Sequence, residues 1–526
     1  MDSPEIIAGI KNIFPHLRVL SVSQPHPDEL ELSVGPEDFK DACLALHKIL
    51  VSPVMMMFAL DERAQSGNYL VNCIFVDIRK SRWITVAMKV PQQNAVFESL
   101  AKNLYSANLF EREICEMFGI EAKGNPDLRS LNLHEEVCPA GNYPLRKDFT
   151  GIQGAGNPGE YKFSRVDGGG IFEVPVGPVH AGIIGPGHFR FSVAGEPIIN
   201  LEARLGFTHR GVEKLFEGKE YAGALRLAEC VTGDSCFSHS LAFTHAAEKI
   251  CGAAISKHDA FIRAILLELE RMYNHINDIG GIATDVGFSF PAAYASIVKE
   301  ALLQINEELT GNRYLKQVNI LGGVVFEFNK NKKDRLCQAL SKVMRDFNEL
   351  TGVLESSVSF MDRVDTTGVL KRKTAEDLGV IGLAARASGI ALDLRKYFPG
   401  VYQEAKFKMI TRETGDVLAR LEVRMREFEE SVRLIRELAD KIPPVEANKS
   451  EYILKAGQAL GFVEGWRGPV LYWLKTNDAG RIERCKIVDA SFHNWQGLCF
   501  AVLGDIIPDF PICNKSFDLS YPGNDL

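Results

Sequence analysis

The chain has 526 residues and 11 cysteines, yet no CxxC pair occurs anywhere in it. The cysteines stand singly from Cys43 to Cys513, odd in number and without a paired framework. That excludes a disulfide scaffold and the common zinc spacings, and it fits a reducing compartment. Most of these thiols are expected to be small buried hydrophobes. Blocks of like charge are also missing, and the net charge of -8 argues against a nucleic-acid surface. The longest nearly apolar run, "VSPVMMMFAL", is about half a membrane span. The opening "MDSPE" has no basic n-region, so no signal peptide is expected and membrane association would come through partners. P-loop, HExxH and GxSxG motifs are absent, and "GIIGPGH" and "GGGIF" lie outside any strand–GxGxxG–helix frame.

What remains is a folded chain too long for one ordinary core. Residues 1–150 form the first expected domain. Within it "LRVLSV", "ELELSVG", "NYLVNCIFVDIR" and "RWITVAMKV" have strand periodicity, and "RKSR" joins the last two as a hairpin. Helical patterns cover Glu37–Leu50 and Gln92–Met117. The glycine-rich residues 151–170 read as a linker. In residues 171–526, "HFRFSVAGEPIINLEARLG" predicts a strand pair turned at "AGEP". The stretch "HDAFIRAILLELERMYNHINDIGGI" predicts an amphipathic helix with Phe261, Ile265, Leu269 and Met272 on one face and charges largely opposite. A second helix ends at the prolines after Ile442, and "NDAG" turns a late hairpin. The fold class is α+β: an α/β N-terminal domain, then a mainly helical domain with small peripheral sheets.

Two groups of motifs carry the reading further. "FEREICEMFGI", "NPDLRSL" and "YPLRKDF", in that order, resemble the 30-kDa subunit of respiratory complex I. From Gly177 onward, "GPVH", "EARLGFTHRGVEKL", "FIRAILLELERMYNHI", "GDVLARLEVRMREFEES" and "ASFHNWQGL" resemble the 49-kDa subunit. That family is related to the large subunits of energy-converting (group 4) [NiFe] hydrogenases, and the fused order resembles formate hydrogenlyase-type large subunits. The resemblance implies a scaffold role for the first domain, with Arg112, Glu113, Arg146, Lys147 and Asp148 as interface contacts. It also implies a peripheral place on the cytoplasmic face of the cell membrane. Implied partners are a small [4Fe–4S] subunit, a ferredoxin-like Fe–S subunit and antiporter-like membrane subunits. No cluster-binding cysteine pattern occurs in this chain, so the clusters belong to those partners.

The resemblance breaks at the metal. In the hydrogenase relatives two CxxC motifs supply four thiolates to nickel and iron. Set against the first, "ECVTGDSCFSHS" puts Thr232 and Ser235 at the ligand positions; set against the second, "SFDLSYPGNDL" puts Ser520 and Gly523 there. Hydroxyls are poor ligands for low-valent nickel and glycine offers no side chain, so no NiFe centre and no other cofactor is expected on this chain. The chain also stops at Leu526, where a mature hydrogenase large subunit would end. A displaced metal site built from Cys230, Cys236, His239 and Cys513 is the alternative.

The complex I resemblance implies quinone chemistry in the same cavity, which needs proton donors near the headgroup. His180 falls on the family's first histidine and Ile184 on the second, which His188 could replace only with a shift. Gly233 falls on the headgroup tyrosine and Asp285 on the carboxylate that holds the histidine. Asp285 also reads as a helix-end cap or a surface acid, and His239 as a satisfied buried histidine. Glu213 reads as a proton-path residue or as a salt bridge. Thr232, Gly233, Asp234, Ser235, His239, Ser520 and Gly523 are expected to line the cavity. The function so read is an oxidoreductase subunit passing electrons from an iron–sulfur partner to a quinone or another small acceptor, with H2 chemistry not expected. A non-catalytic coupling subunit and a hydrogenase with an altered metal site are the other readings.

Overall fold

The structure is a computed structural model describing residues 3–156, 161–180, 185–445 and 452–526. Part of the glycine-rich linker and Ile184 lie outside the described residues.

The N-terminal region is built on a five-stranded sheet of order β1-β2-β5-β4-β3: β1 Val19–His26, β2 Glu29–Val34, β3 Met56–Glu62, β4 Asn68–Asp77 and β5 Arg82–Pro91. The β2–β5 pair is parallel and the others are antiparallel, with the β4–β5 hairpin turned at Ile78–Ser81 as the sequence suggests. The "MMFALDE" strand had no alternation to announce it. Six of its seven residues are buried, because both faces are covered, and a doubly covered strand loses the polar face that alternation depends on. The helix expected over Gln92–Met117 is shorter than its pattern. Residues Val96–Glu98 instead pair in parallel with Glu121–Lys123, and the helix runs only from Asn108 to Phe118. Tertiary strand pairing overrides the helical period there.

Beyond the linker, His188–Ala194 and Ile198–Arg204 form the expected antiparallel pair, joined by a third strand, Ile171–Val176. Four long helices follow: Cys236–Cys251, Lys257–Asp285, Ser289–Thr310 and Lys330–Ser356, with Val417–Lys441 later in the chain. Ser256 and Asp416 cap two of them by accepting from the Asp259 and Ala419 backbone N–H groups, satisfying donors that a helix start leaves free. The last sheet is a meander of Gly457–Glu464, Pro469–Thr476 and Ile482–Val488. The helix Ala490–Ala501 and two short helices, Phe510–Phe517 and Tyr521–Asp525, complete the chain.

Helix Lys257–Asp285 departs from the amphipathic expectation. Its apolar face is buried as read, but Arg263, Glu268, Glu270, Arg271 and Asp278 are buried as well. A buried charge requires a partner. Glu268 meets Arg271 at 3.1 Å and Arg395 at 3.2 Å, and Glu427 meets Arg386 at 2.8 Å and His275 at 3.0 Å. Burial opposes ionisation of Glu268, but the two guanidiniums prevail and hold its carboxyl down at about 2. The core of the helical region is therefore part hydrocarbon and part ion network.

The N-terminal sheet packs directly on this region. Leu460, Leu471, Trp473 and Phe492 share one apolar cluster with Phe58, Trp83 and Phe110. Among the described residues no helix is long and apolar enough to cross a membrane.

Candidate functional site

Two segments almost three hundred residues apart meet at one place. The loop 229–235 precedes helix Cys236–Cys251, and the tail 518–526 folds back against it. Ser520 donates to the Thr232 hydroxyl at 2.9 Å, and Thr232 donates to Asp234 Oδ1 at 2.9 Å. Ser235 donates to the same Asp234 oxygen at 3.1 Å, and the Gly523 N–H donates to Ser520 Oγ at 2.9 Å. Thr232 and Ser235 are each 3% exposed and Ser520 is 5% exposed. These residues do come together, as the sequence reading required. They do so as a set of mutual hydrogen bonds, with Gly233 exposed and Asp234 half-buried at its edge.

Arg467 ties the two segments to each other. Its guanidinium donates to both carboxylate oxygens of Asp234, at 3.0 and 2.5 Å, and to Asp518 Oδ2 at 3.3 Å, while Nε donates to the Asp518 carbonyl. It also stacks on Trp466, 3.9 Å from the ring centroid, and Trp466 Nε1 donates to Ser235 at 2.9 Å. Burial works against the Arg467 charge, but the Asp234 and Asp518 carboxylates override it and raise its pKa. By the same coupling Arg467 lowers the Asp234 pKa against burial. The turn "GWRG" is positioned by backbone contact. Gly382, at φ +67°, has the Arg467 carbonyl oxygen only 2.1 Å from where a Cβ would sit, so no other residue fits there. Sequence reasoning missed Arg467 and Trp466. The glycines flanking the pair mark a turn, but they do not say which segments it closes over.

The floor of the site is His239, fully buried, with Nδ1 2.9 Å from the Tyr472 hydroxyl and Nε2 3.3 Å from Asp489 Oδ2. Against burial, His239 and Arg467 hold the Asp489 carboxyl well below the usual range. Asp489 also caps helix Ala490–Ala501 by accepting from the Ser491 N–H at 2.7 Å. Glu270 accepts from the Phe237 and Ser238 N–H groups at 2.7 and 3.0 Å and so fixes the start of the loop helix; burial pushes its carboxyl up to about 7.

The remaining candidates share no hydrogen bond with the 232–235 loop among the described residues, although Asp285 lies close enough to Lys515 and Asp518 for their charges to act on it. Asp285 is exposed at the end of helix Lys257–Asp285, and among the described residues it shares no hydrogen bond or ion pair with His180. His180 is half-buried near the Phe189 ring, its Nε2 shielded and without a partner among the described residues. His188 bonds the Gly177 carbonyl at 3.2 Å. Glu213 meets Arg484 at 2.7 Å and Lys486 at 3.1 Å and accepts from the Ile487 N–H at 3.0 Å. Its direct contacts are thus those of the salt-bridge reading and lie away from the 232–235 loop.

The five interface candidates divide. Glu113 binds Lys486 at 2.6 Å and Lys147 binds Glu217 at 2.7 Å, both across to the second half of this same chain. Arg112 donates to the carbonyls of Arg129 and Ser130, Arg146 to that of Phe118, and Asp148 pairs with Arg63, all within the first half.

The donor chemistry does not suit a [NiFe] centre. No thiolate stands at any of the four ligand positions, and the three hydroxyls there are already bonded to one another and to Asp234. A Cβ at Gly523 would come within 2.9 Å of Ser520 Oγ and 3.1 Å of Asp489 Cγ, so a side chain there would require Ser520 to move. The displaced set does not converge either. Cys230 is exposed, Cys236 points its thiol at the Gly233 carbonyl, His239 is held by Tyr472 and Asp489, and Cys513 packs against Arg420. Among the described residues no three His, Cys, Asp or Glu side chains group as a metal site.

Two known families match successive stretches of the chain. Residues 32–154 match the family "Respiratory-chain NADH dehydrogenase, 30 Kd subunit", and residues 285–456 match its 49 Kd subunit family. Formate hydrogenlyase subunit 5 of Escherichia coli K12 is 31% identical over 99% of this chain and 92% of its own length. Hydrogenase-4 component G of the same organism is 29% identical over the same shares. The fused C/D polypeptide of the NADH-quinone oxidoreductase of Bacteroides thetaiotaomicron is 31% identical over 69% of this chain and 72% of its own length. These relatives are parts of oxidoreductases assembled from several different chains. The chain therefore belongs to the family of fused 30-kDa/49-kDa complex I-like proteins, alongside the large subunits of group 4 hydrogenases.

Proposed function

We propose that this chain is the large subunit of a membrane-associated oxidoreductase complex that has no NiFe centre. It takes electrons from a [4Fe–4S] partner subunit and passes them to a quinone or another small acceptor. The observation that carries this reading is the bonded set Ser520–Thr232–Asp234–Arg467 at the place where its hydrogenase relatives hold metal. Opening of that set would free the Arg467 guanidinium and the hydroxyls to bind a carbonyl-bearing acceptor. Two-electron reduction of a quinone also takes up two protons. The hydroxyls of Thr232 and Ser520 can only relay those protons, since a net loss would leave an alkoxide; the supply would come from solvent through ionisable groups such as Asp285 and His180. The chain would sit on the inner face of the cell membrane, held by antiporter-like membrane subunits.

One observation favours a second reading, a non-catalytic coupling subunit. The Thr232–Ser520 bond joins the two segments directly, so a ligand entering between them must break it. Stopped-flow reoxidation of the dithionite-reduced complex by menaquinone and ubiquinone analogues and by sulfur compounds separates the two. The redox reading predicts cluster reoxidation by at least one acceptor, slowed about tenfold or more by Asp234→Asn, which loosens Arg467. An intact complex reoxidised by no acceptor contradicts it and leaves the coupling role.

A further inference from the structure

A cavity of about 830 Å³ opens beside the loop helix, lined by its residues Leu241, His245, Glu248 and Lys249. It falls within the range of small-molecule sites, roughly 300–1,000 Å³. Helix Cys236–Cys251 connects it to the site above. His239 lies under the former metal loop and His245 lines the cavity, about 9 Å farther along at the usual helical rise. The other walls come from the β1–β2 turn, helix Lys257–Asp285, residues 394–404 and strand Gly457–Glu464, so both halves of the chain contribute. Leu241, Leu267, Phe398, Val401 and Phe462 supply an apolar, ring-bearing surface.

The wall charges are already satisfied within the protein. Lys249 pairs with Asp28 at 2.7 Å, Arg263 with Glu248 at 2.8 Å, and Lys257 with Glu404 at 2.9 Å. Arg395 pairs with Asp393 at 2.8 Å, and Glu464 with Arg386 at 2.8 Å. A charged ligand would have to lose its water without gaining a free counter-charge, which is unfavourable. Two wall histidines are not ion-paired: His26, at the β1–β2 turn, whose Nε2 donates to the Gln458 carbonyl at 2.9 Å, and His245 on the loop helix, the one that faces the cavity from among Leu241, Glu248 and Lys249. For His245 the free nitrogen is defined. Its Nδ1–H donates to the Phe462 carbonyl at 3.1 Å, which fixes the tautomer and leaves Nε2 as a lone-pair acceptor with no protein partner among the described residues. Burial lowers the His245 pKa, so the ring stays neutral near pH 7.

We infer that this cavity is a binding site for a neutral aromatic molecule bearing one hydroxyl, with the rings packed among the leucine and phenylalanine side chains and the hydroxyl donated to His245 Nε2. The inference does not depend on the redox reading, since no residue of the 232–235 or 518–523 segments lines this space. The test is equilibrium dialysis of the purified full-length protein, alone and in its complex, with three probes: 1-naphthol, 1-methoxynaphthalene and 1-naphthalenesulfonate. The expected result is one saturable 1-naphthol site per chain. The two analogues, which lack the donor or add a charge, should bind about tenfold more weakly, as loss of one buried hydrogen bond implies. In His245→Leu the advantage of 1-naphthol over 1-methoxynaphthalene should disappear. Equal binding of those two probes by the unmodified protein would overturn the inference, and that comparison needs no variant to fold. So would absence of saturable 1-naphthol binding, or a 1-naphthol preference that survives in His245→Leu.

Discussion

Arg467 decides more about the candidate site than any residue the motifs point to. One buried guanidinium bonds Asp234 in the loop and Asp518 in the tail, and both bonds are charge-assisted. Asp234→Asn keeps the shape but removes the charge, leaving Arg467 with Asp518 alone. The expected cost is about 2–3 kcal/mol of stability, because a buried cation loses its bidentate partner. Chemical denaturation would measure it, and a change within experimental error would show that Asp234 is not what holds Arg467. That Thr232, Ser235, Ser520 and Gly523 offer no thiolate was legible in the sequence, since each position could be read directly. The arginine was not, because nothing in "EGWRGP" says that the turn closes over the loop until Gly382 and Gly468 bring their backbones together. Asp285 and His180 show the converse: an aligned position does not fix a contact.

Elements were legible where the hydrophobic pattern keeps one period, whether or not a face meets solvent: eight of the ten β4 residues are buried. Strands β4 and β5 and the pair at His188–Ala194 and Ile198–Arg204 were read from their strand patterns, and Val417–Lys441 from its period and the prolines that end it. The helix Lys257–Asp285 was found with its apolar face as read. Its charged residues, largely on the opposite face, are buried too and pair inside the ion network, because arginines from far along the chain reach them. Helix Ala490–Ala501 gives a test at this scale. His493 is buried and donates toward the Met55 carbonyl at 3.2 Å, and burial lowers its pKa to about 4. The unfolded imidazole titrates near its ordinary value, so between about 6.5 and 4 the unfolded state binds the extra proton. Stability is therefore full above about 6.5 and is lost as the pH falls through that window. His493→Asn keeps a donor without the titration. Its stability relative to the parent should improve by on the order of 1–3 kcal/mol between pH 7 and pH 4.5. Parallel denaturation curves at the two pH values would contradict this.

At the scale of the whole molecule the two halves are one packed body. Their apolar cluster is continuous, and Glu113, Lys486, Glu213 and Arg484 form a buried ion cluster across the join. The motifs for both halves could be read in order along the sequence. Their docking could not, since it rests on side chains that become neighbours only after folding. The same holds for the site: the sequence shows residues 232, 235, 520 and 523 without thiols, and only the fold shows that the three hydroxyls among them join Asp234 and Arg467 in one bonded set. The most direct measurement is nickel and iron analysis of the purified intact complex alongside an H2/D+ exchange assay. The account predicts no stoichiometric nickel and no exchange above background, with iron matching only the clusters of the partner subunits. One nickel per chain together with H2/D+ exchange would contradict it.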